Sequence, residues 1–251
     1  METQAVDSFV STHHAEELTG WLTLEMSKDA MKSFLVTRGA TLELADEPDR
    51  SAQERSDSRC TESPQNQPSD IIINTISRMN NFLANKANDN KQAMTLRLAR
   101  EEDAASIFEL VNGLAVYEKA ADEVTINSET YQRDGCGAEH PIFHCILVEL
   151  HDEDSKSALV VGMGLFYFGY SSSNEGKYLY LEDIFIQEAY RGRGCGKSIM
   201  LTLADIAFQS DCNRFVWQAL DWNTPALEFY EAIGAKVCTG LVTVRLNEEQ
   251  I

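Results

Sequence analysis

Apolar residues along this chain follow two different spacings, and the changes between them predict an ordered series of strands and helices. Alternation of apolar and polar residues is typical of a strand, and apolar residues at every third or fourth position are typical of a helix. Strands are predicted over residues 94–99, 142–150, 159–170, 177–187 and 214–220, with a short terminal pair near 236–246. Helices are predicted over 101–119, 127–134, 197–210 and 224–233. The helix over 127–134 is expected to end at Gly135, because glycine is favoured just beyond a helix C-terminus. Helices and strands mixed along one chain indicate the α/β class.

The first 93 residues divide into three segments of different composition. Residues 71–93 contain a possible helix, and residues 43–70 are polar with three prolines. Because that polar composition buries too little apolar surface to order itself, we expect 43–70 to be a disordered linker. Docking on the rest of the chain, self-association and disorder all stay open as roles for these segments. Residues 1–42 form an amphipathic segment whose apolar residues roughly follow helical spacing, namely Leu18, Trp21, Leu22, Leu24, Met26, Met31, Phe34 and Leu35.

A basic, glycine-rich turn joins the predicted strand 177–187 to the predicted helix 197–210. Glycines let backbone N–H groups converge on an anion, and the N-terminus of the helix adds partial positive charge. A pyrophosphate is the expected ligand, although a basic turn without a ligand is also possible. A nucleoside-triphosphate loop would need a glycine at position 191, and the glycine spacing of a dinucleotide fingerprint is also absent. The turn reads Arg191-Gly192-Arg193-Gly194-Cys195-Gly196-Lys197.

The pattern Arg191-x-x-Gly194-x-Gly196 resembles the acetyl-CoA pyrophosphate loop of the GCN5-related N-acetyltransferases, the GNAT family. A second signature of that family follows one strand later, and the similarity covers roughly residues 94–247. The resemblance implies a GNAT domain over 94–251, with a mixed, mostly antiparallel twisted sheet and flanking helices. It also implies acetyl-CoA as the co-substrate and no metal, and it leaves the N-terminal residues as a helical or disordered extension. The second signature is carried by Asn223, Ala226, Phe229, Tyr230, Gly234 and Ala235.

Four shorter segments resemble the diamine acetyltransferases within this family, which include spermidine/spermine, thialysine-acetylating and plant members. This resemblance implies direct transfer of an acetyl group to a primary amine of a small di- or polyamine or diamino acid. Animal polyamine enzymes carry a basic pair where this chain has Glu231-Ala232, so spermidine, putrescine, ornithine and thialysine all stay open as acceptors. A protein lysine or N-terminal acetyltransferase and a CoA-binding regulatory module of low turnover are the alternatives. The four segments are Tyr117–Lys119, Asp134–Gly135, His140–Cys145 and Tyr178–Phe185.

The resemblance also assigns roles to individual residues. Tyr230 is expected to protonate the leaving sulfur, and Glu182 to bind the acceptor amine and relay its proton. Backbone N–H groups of Ile184, Phe185 and Ile186 are expected to polarise the thioester carbonyl. Further cofactor contacts are expected from Asn223, Arg191, Gly192, Arg193, Gly194, Cys195, Gly196 and Lys197. The acceptor is expected to contact Tyr117, Glu118, Glu182, Val216, Trp217 and Gln218.

Each of these side chains also has an ordinary structural interpretation. Tyr230 fits a packing aromatic on an amphipathic helix, Trp217 fits a core residue, and Glu118 fits a solvated acid at a helix end. Glu182 fits a surface carboxylate, although a carboxylate within an apolar strand is costly without a role or partner. Simple strand alternation predicts that Glu182 and Ile184 share one face, with Asp183 on the other.

Composition narrows the partners. The net charge of −19 and the pI near 4.6 argue against nucleic acid as the main partner, because phosphate backbones need basic surfaces. The acidity suits a cationic acceptor, which it would attract. The alternative explanation is that the acidic residues serve only to keep the protein soluble. Six cysteines without a CxxC motif favour neither a zinc site nor a disulfide framework. We expect no membrane partner and a cytoplasmic location, since neither a signal peptide nor an apolar run of about 20 residues is evident. Family members are commonly homodimers, so a homodimer is expected.

Overall fold

The computed structural model describes residues 16–17, 20–37, 68–86, 93–151, 158–172, 176–239 and 244–245. Most of the linker predicted over 43–70 lies outside these residues. Its last three positions, 68–70, are described, and they form the first turn of a helix.

The elements follow the predicted alternation of helices and strands. The strands are β1 (Glu16–Glu17), β2 (Trp21–Ser27), β3 (Ala93–Leu98), β4 (His144–His151), β5 (Ala158–Ser171), β6 (Gly176–Ile186), β7 (Arg214–Leu220), β8 (Lys236–Val237) and β9 (Val244–Arg245). The α-helices are α1 (Lys28–Thr37), α2 (Pro68–Lys86), α3 (Ala104–Glu118), α4 (Ser128–Tyr131), α5 (Cys195–Gln209) and α6 (Thr224–Ala232). The predicted α/β class, with a mostly antiparallel sheet and flanking helices, is confirmed.

The chain divides into two compact units. The large unit comprises Ser27–Phe215, and the small unit combines Met1–Met26 with Val216–Ile251. The glycine-rich turn and Glu182 belong to the large unit, whereas Tyr230 and Asn223 belong to the small one. The residues with predicted functions are therefore divided between the two units.

The large unit contains four antiparallel strands in the order β3-β4-β5-β6. Helix α3 covers one face, where Ile107 and Leu110 pack with Leu147, Met163 and Leu165 in a buried cluster. Helix α5 covers the other face, and its residues 198–207 are all buried. A Cβ atom on Gly164 of β5 would lie 2.6 Å from the side chain of Ile199 in α5, so glycine permits this close contact. The two faces of β5 and β6 therefore have distinct environments, one facing α3 and the other facing α5.

The predicted helical spacing over the first 42 residues is wrong for part of that segment. Residues Trp21–Ser27 form strand β2, and only the following Lys28–Thr37 are helical. In β2, Leu24 and Met26 are buried and alternate with more accessible neighbours, which is the period of a strand. In α1, by contrast, Met31, Phe34 and Leu35 are buried at helical spacing. Alternation and helical spacing overlap in this short run, so pairing with another strand decided its conformation.

The expectation that a helix ends at Gly135 is also wrong. Helix α4 continues as a π-helical turn over Gln132–Cys136, and its last bond runs from the Gly137 N–H to the Gln132 carbonyl at 2.9 Å. Gly135 therefore lies inside the turn. A side chain there would collide with the ring of Phe143, so this glycine allows close packing rather than ending the helix.

The small unit contains strands in the order β7-β2-β8, and β2 pairs antiparallel with β8 through Leu24 and Val237. Strands β1 and β9 form a separate antiparallel pair. The N-terminal segment thus contributes a strand to the sheet of this unit, a role that its composition did not reveal. None of the helices in the described part of the chain has the length and the hydrophobicity that spanning a bilayer requires.

Candidate functional site

The glycine-rich turn has the backbone geometry of an anion cradle. Gly192 and Gly194 adopt positive φ angles of 75° and 90°, which residues with a Cβ atom rarely adopt. Nothing lies within 4 Å of a Cβ atom built on either glycine, so the concave side of the turn is open. Helix α5 begins directly after the turn at Cys195, and the first N–H groups of a helix have no partner within the helix. The turn therefore suits the pyrophosphate of a coenzyme.

Two arginines of the turn are held by neighbouring groups. The Arg191 Nε donates a hydrogen bond to the Ile186 carbonyl at 3.0 Å, where β6 ends. Its guanidinium carbon lies 4.8 Å from the ring centroid of Tyr117. Arg193 lies over the ring of Tyr190 at 5.3 Å. Arg191 thus joins the predicted coenzyme loop to a residue predicted to contact the acceptor.

The other residues of the turn differ in what they can offer an anion. Cys195 is buried, its Sγ faces the Tyr190 carbonyl, and burial raises the pKa of its thiol. Cys195 can therefore contribute its backbone N–H but not an ionised sulfur. A Cβ atom on Gly196 would meet only the Ile186 side chain, at 3.9 Å, so packing within the protein does not require glycine at this position.

Strand β6 is irregular at Glu182. Leu181 pairs with Phe166 of β5, and Asp183 pairs with Leu165, so Glu182 has no register partner. Two residues opposite one on the neighbouring strand form a β-bulge, which re-aims side chains and is frequent next to active sites.

The bulge places Glu182 and Asp183 on the same face of the sheet. Asp183 lies opposite Leu165, which belongs to the buried cluster under α3. Glu182 forms a hydrogen bond with Tyr167, which shares the face of Leu165 two residues earlier. Ile184 pairs with Gly164, whose missing side chain would point at α5. The prediction that Glu182 and Ile184 share a face is therefore wrong, because the extra residue shifts the alternation.

Three carboxyl groups in this region have raised pKa values. Burial, followed by the charges of Glu182 and Glu118, raises the pKa of Asp183 to about 7. Burial raises the pKa of Glu182, and its hydrogen bond with Tyr167 opposes that change in part. Burial and the charge of Glu123 raise the pKa of Glu118. Carboxyl groups that are clustered and partly desolvated gain from binding a cation, and one that ionises near neutral pH can accept a proton.

Tyrosines surround these carboxyl groups. The rings of Tyr167 and Tyr180 stack at 5.1 Å, and burial with the Glu182 charge raises the pKa of Tyr167 to about 12. Tyr131 is buried, and burial with the Asp183 charge raises its pKa to about 12. The tyrosines therefore stay neutral and can donate hydrogen bonds to the carboxyl groups. Asp183, Tyr131, Tyr167 and Tyr180 were not predicted as candidate site residues, and the sequence offered a signal only for Asp183 and Tyr180, namely adjacent acids in a tyrosine-rich strand.

Five of the predicted residues lie in the small unit. Tyr230 is buried there, and its ring lies 5.2 Å from that of Trp217 in an edge-to-face arrangement. Trp217 and Val216 are also buried, which agrees with the core alternative for Trp217. Gln218 donates a hydrogen bond to the Thr23 hydroxyl at 3.4 Å. The roles predicted for these four residues stay predictions.

Asn223 also lies in the small unit. It is the residue immediately before α6, but its side chain makes no capping bond. The Asn223 carbonyl instead accepts hydrogen bonds from the N–H groups of Ala226 and Leu227, both at 3.0 Å. Its predicted contact with the coenzyme stays a prediction.

The described residues contain no group of three or more His, Cys, Asp or Glu side chains that could hold a metal ion. The cysteines among them, at 136, 145, 195, 212 and 238, form no disulfide with one another. Around β6 and the glycine-rich turn, the groups available for chemistry are carboxyl groups, tyrosines and backbone N–H groups.

Comparison with known proteins identifies the family. The model of the acetyltransferase (GNAT) family matches residues 105–235, more than half of the chain. The chain belongs to the GNAT family of acetyltransferases. Members of this family use acetyl-CoA, and the open cradle at Gly192 and Gly194 suits its pyrophosphate.

Several curated proteins are similar to this acetyltransferase. A thialysine N-epsilon-acetyltransferase of Sus scrofa is 38% identical over 149 residues, which cover 59% of this chain and 86% of the relative. The protein of the same name from Mus musculus is 40% identical over 146 residues, which cover 57% of this chain and 85% of the relative. The human spermidine/spermine N(1)-acetyltransferase-like protein 1 is 34% identical over 160 residues, which cover 62% of this chain and 23% of that protein.

A solved structure supports the same fold. An integron cassette protein from the mobile metagenome of V. cholerae aligns with a TM-score of 0.51 and 21% identity. The alignment covers 64% of this chain and 96% of that protein. At this level of identity the likeness concerns the fold alone.

Proposed function

We propose that this acetyltransferase transfers an acetyl group from acetyl-CoA to a primary amine of a small diamino acid or polyamine. The observation that carries the proposal is the bulge in β6, which gathers Glu182 and Asp183 on one face together with Glu118 from the end of α3. An amine of this kind is a cation at neutral pH, since the pKa of an alkyl ammonium group is about 10. A cluster of carboxyl groups in which Glu118 and Asp183 are half-buried suits a cation.

The number of carboxyl groups favours an acceptor with more than one charged nitrogen. One carboxylate balances one ammonium group, and a second carboxylate can hold a distal ammonium group of the same molecule. Glu118 and Glu182 come from different elements, so they can contact different parts of an acceptor. The similarity to thialysine N-epsilon-acetyltransferases and to a spermidine/spermine N(1)-acetyltransferase-like protein supports the same acceptor class.

The acceptor must lose a proton before it attacks the thioester. In this proposal Asp183 is the base, because it lies on the same face as Glu182 and a group with a pKa of about 7 is ionised in part at neutral pH and basic enough to accept a proton. Glu182 then binds the ammonium group, with Tyr167 orienting the carboxylate through its hydrogen bond. In this proposal, backbone N–H groups of Ile184 and Ile186 polarise the carbonyl, and Tyr230 protonates the leaving sulfur.

The proposal extends to assembly and location. We also propose a homodimer, which the family resemblance implies, and a cytoplasmic location, which suits cysteines without a disulfide framework. A protein lysine or N-terminal acetyltransferase is a second candidate, and the net charge of −19 favours it to the extent that basic peptides also bind acidic surfaces.

The test is CoA release by the purified chain with acetyl-CoA and a panel of acceptors: thialysine, ornithine, spermidine, putrescine and a basic peptide. We expect turnover with a small amine and its loss in Glu182→Gln and Asp183→Asn, while Glu109→Gln, an exposed acid on α3, serves as the matched control. Preference for the peptide would favour the protein acetyltransferase. Binding of acetyl-CoA without turnover of any acceptor would contradict the proposal and favour the alternative of a CoA-binding regulatory module.

A further inference from the structure

A second cleft lies at the end of α5 that is remote from the glycine-rich turn. It has a volume of about 570 Å³ and lies between helix α2, the C-terminal end of α5, and strands β5 and β6. This volume is in the range of small-molecule sites. Helix α5 has 15 residues, and at 1.5 Å per residue it separates this cleft from the turn by about 20 Å. The cleft is therefore separate from the cradle proposed for acetyl-CoA.

The charge of the cleft is opposite to that of the chain. Arg78 of α2 and Lys177 of β6 line it, and no acidic side chain is among the described residues that do so. The chain as a whole carries a net charge of −19. Arg78 is paired with the buried Asp205, so the positive charge that attracts an anion to the cleft comes mainly from Lys177.

Arg78 retains donor capacity beyond its structural bonds. Its Nη2 binds Asp205 Oδ2 and the Thr75 hydroxyl, both at 3.0 Å, and its Nε is buried without a hydrogen-bond partner. Arg97 in the same unit provides a contrast, because it uses Nε and both Nη atoms to bind Glu149 and Asp103. A guanidinium group has five N–H donors, so Arg78 can still bind an anion in the cleft.

Lys177 and Ser210 provide a second polar wall. The Lys177 ammonium donates to the Ser210 carbonyl at 2.9 Å, which uses one of its three donors. Ser210 is only 7% exposed, and its hydroxyl is buried without a hydrogen-bond partner. Rotation about one side-chain bond can redirect this hydroxyl towards a ligand in the cleft. A hydrogen bond to that ligand would remove the energetic cost of an unpaired buried hydroxyl. The hydrogen bond from Lys177 has a structural role, because it satisfies a backbone carbonyl at the C-terminal end of α5. No such role accounts for the unpaired Ser210 hydroxyl.

We propose that this cleft binds a small organic anion. Arg78, Lys177 and the Ser210 hydroxyl hold its carboxylate or phosphate group, and Phe168 and Ile71, which also line the cleft, contact its apolar part. Binding here leaves the acetyl-CoA cradle accessible, so such an anion can act on the enzyme without competing for the coenzyme.

The experiment measures thermal stabilisation and calorimetric affinity of the full chain with phenyl phosphate and with benzoate. Phenol serves as the neutral probe, and inorganic phosphate tests the anion without an apolar part. Saturating CoA is present throughout, so that the glycine-rich turn is occupied. We expect at least one of the two aromatic anions to bind and to exceed phenol, and the preferred one tells whether a phosphate or a carboxylate is recognised.

Two pairs of variants test the assignment of the site. Lys177→Gln is expected to weaken binding about tenfold, as the loss of one charge-assisted contact predicts, whereas Lys32→Gln on α1 removes the same charge from an exposed position outside the cleft. Ile71→Glu places a negative charge in the wall of the cleft and is expected to weaken binding at least as much. Ile73→Glu is its control, since Ile73 is 52% exposed on the same helix and does not line the cleft.

Three results would overturn the proposal. One is the absence of binding by both aromatic anions to the folded chain at millimolar concentration. Another is binding that appears only without CoA, which would assign the anion to the glycine-rich turn. The third is binding that is unchanged in both Lys177→Gln and Ile71→Glu, which would place the anion elsewhere. If either Lys177→Gln or Ile71→Glu fails to fold, the other variant still tests the site.

Discussion

Glu182 and Asp183 are consecutive in the chain, yet both side chains lie on the face of β6 that α3 covers. A regular strand would place them on opposite faces, and the bulge opposite Leu165 and Phe166 removes that alternation. One carboxyl group contacts Tyr167, and the other lies opposite the buried Leu165. Their different surroundings suit different tasks, namely binding an ammonium group and accepting its proton.

Asp183→Asn should lower kcat/KM about 100-fold, because an amide cannot accept a proton and a positioned base contributes on that order. In the unmodified enzyme, kcat/KM should rise as the pH increases through about 7, where Asp183 ionises. This rise of kcat/KM near pH 7 should be missing in the variant. The measurement is the pH profile of kcat/KM for both proteins. A limb near pH 7 that persists in Asp183→Asn would assign the base to another group.

The same substitution should stabilise the fold at alkaline pH. The folded state raises the pKa of Asp183 to about 7, so it holds a proton that the unfolded chain has already lost. The free energy of unfolding therefore falls as the pH rises from about 4, the ordinary Asp value, to about 7. Asp183→Asn lacks this loss and should be more stable at pH 8 by up to about 4 kcal/mol, since each pKa unit corresponds to about 1.4 kcal/mol. Urea unfolding at pH 5 and pH 8 measures the difference, and equal stability of the two proteins at pH 8 would contradict it.

Gly196→Ala should have opposite effects on the stability of the fold, which should rise, and on the affinity for acetyl-CoA, which should fall. Gly196 lies in the first turn of α5, and an added Cβ atom meets only Ile186, at 3.9 Å. Replacing glycine by alanine in a helix should therefore stabilise the fold by about 0.5 kcal/mol. The same methyl group narrows the cradle and should weaken acetyl-CoA binding about tenfold, by analogy with the close backbone approach that glycine permits in phosphate loops.

Gly194→Ala is the comparison, because its φ of 90° makes a side chain costly by about 1–2 kcal/mol. Urea unfolding and calorimetric titration with acetyl-CoA distinguish the two glycines. Unchanged acetyl-CoA affinity in Gly196→Ala would show that the coenzyme does not approach this position.

Arg191→Lys should raise the KM for acetyl-CoA about three- to tenfold although the charge is kept. The Arg191 guanidinium is held by the Ile186 carbonyl and lies 4.8 Å from the Tyr117 ring centroid, and a lysine cannot reproduce this planar arrangement. Tyr117→Leu should have a similar effect by removing the ring, whereas Tyr117→Phe keeps the stacking and should retain the KM for acetyl-CoA. Steady-state kinetics with acetyl-CoA varied measures all three. An equal effect of Tyr117→Leu and Tyr117→Phe would refute the stacking role.

Asp103→Asn should destabilise the large unit by about 3 kcal/mol, the magnitude expected when one partner of a buried ion pair is removed. Burial acts to raise the pKa of Asp103, but hydrogen bonds from Arg97 and from the Arg100 N–H outweigh it, so the pKa is lowered. This stabilisation is present above about pH 4, the unfolded value, and is lost as the pH falls below it.

The exposed pair Arg100–Glu102 supplies the control for this prediction. The side chains of Arg100 and Glu102 are 68% and 70% exposed, and Glu102→Gln should change stability by less than about 0.5 kcal/mol. Urea unfolding of both variants at pH 7 gives the comparison, and equal effects would contradict it.

Much of the local structure, and the family, could be predicted from the order of residues alone. Strand β7 and helix α6 begin at the predicted residues, and most other predicted elements differ by only a few, because apolar periodicity acts over neighbouring residues. The glycines at 192 and 194 could be singled out for the same reason, since a positive φ and an open concave side are properties of a short turn.

The face on which a side chain lies, and its neighbours there, depend on contacts in the folded protein. The bulge at Glu182 depends on the register of β6 against β5, and the conformation of Trp21–Ser27 depends on pairing with β8, far away in sequence. The raised pKa of Asp183 depends on burial and on Glu118 from another element. These features arise from contacts between distant residues, whereas local periodicity reports only which residues of one segment can share a face.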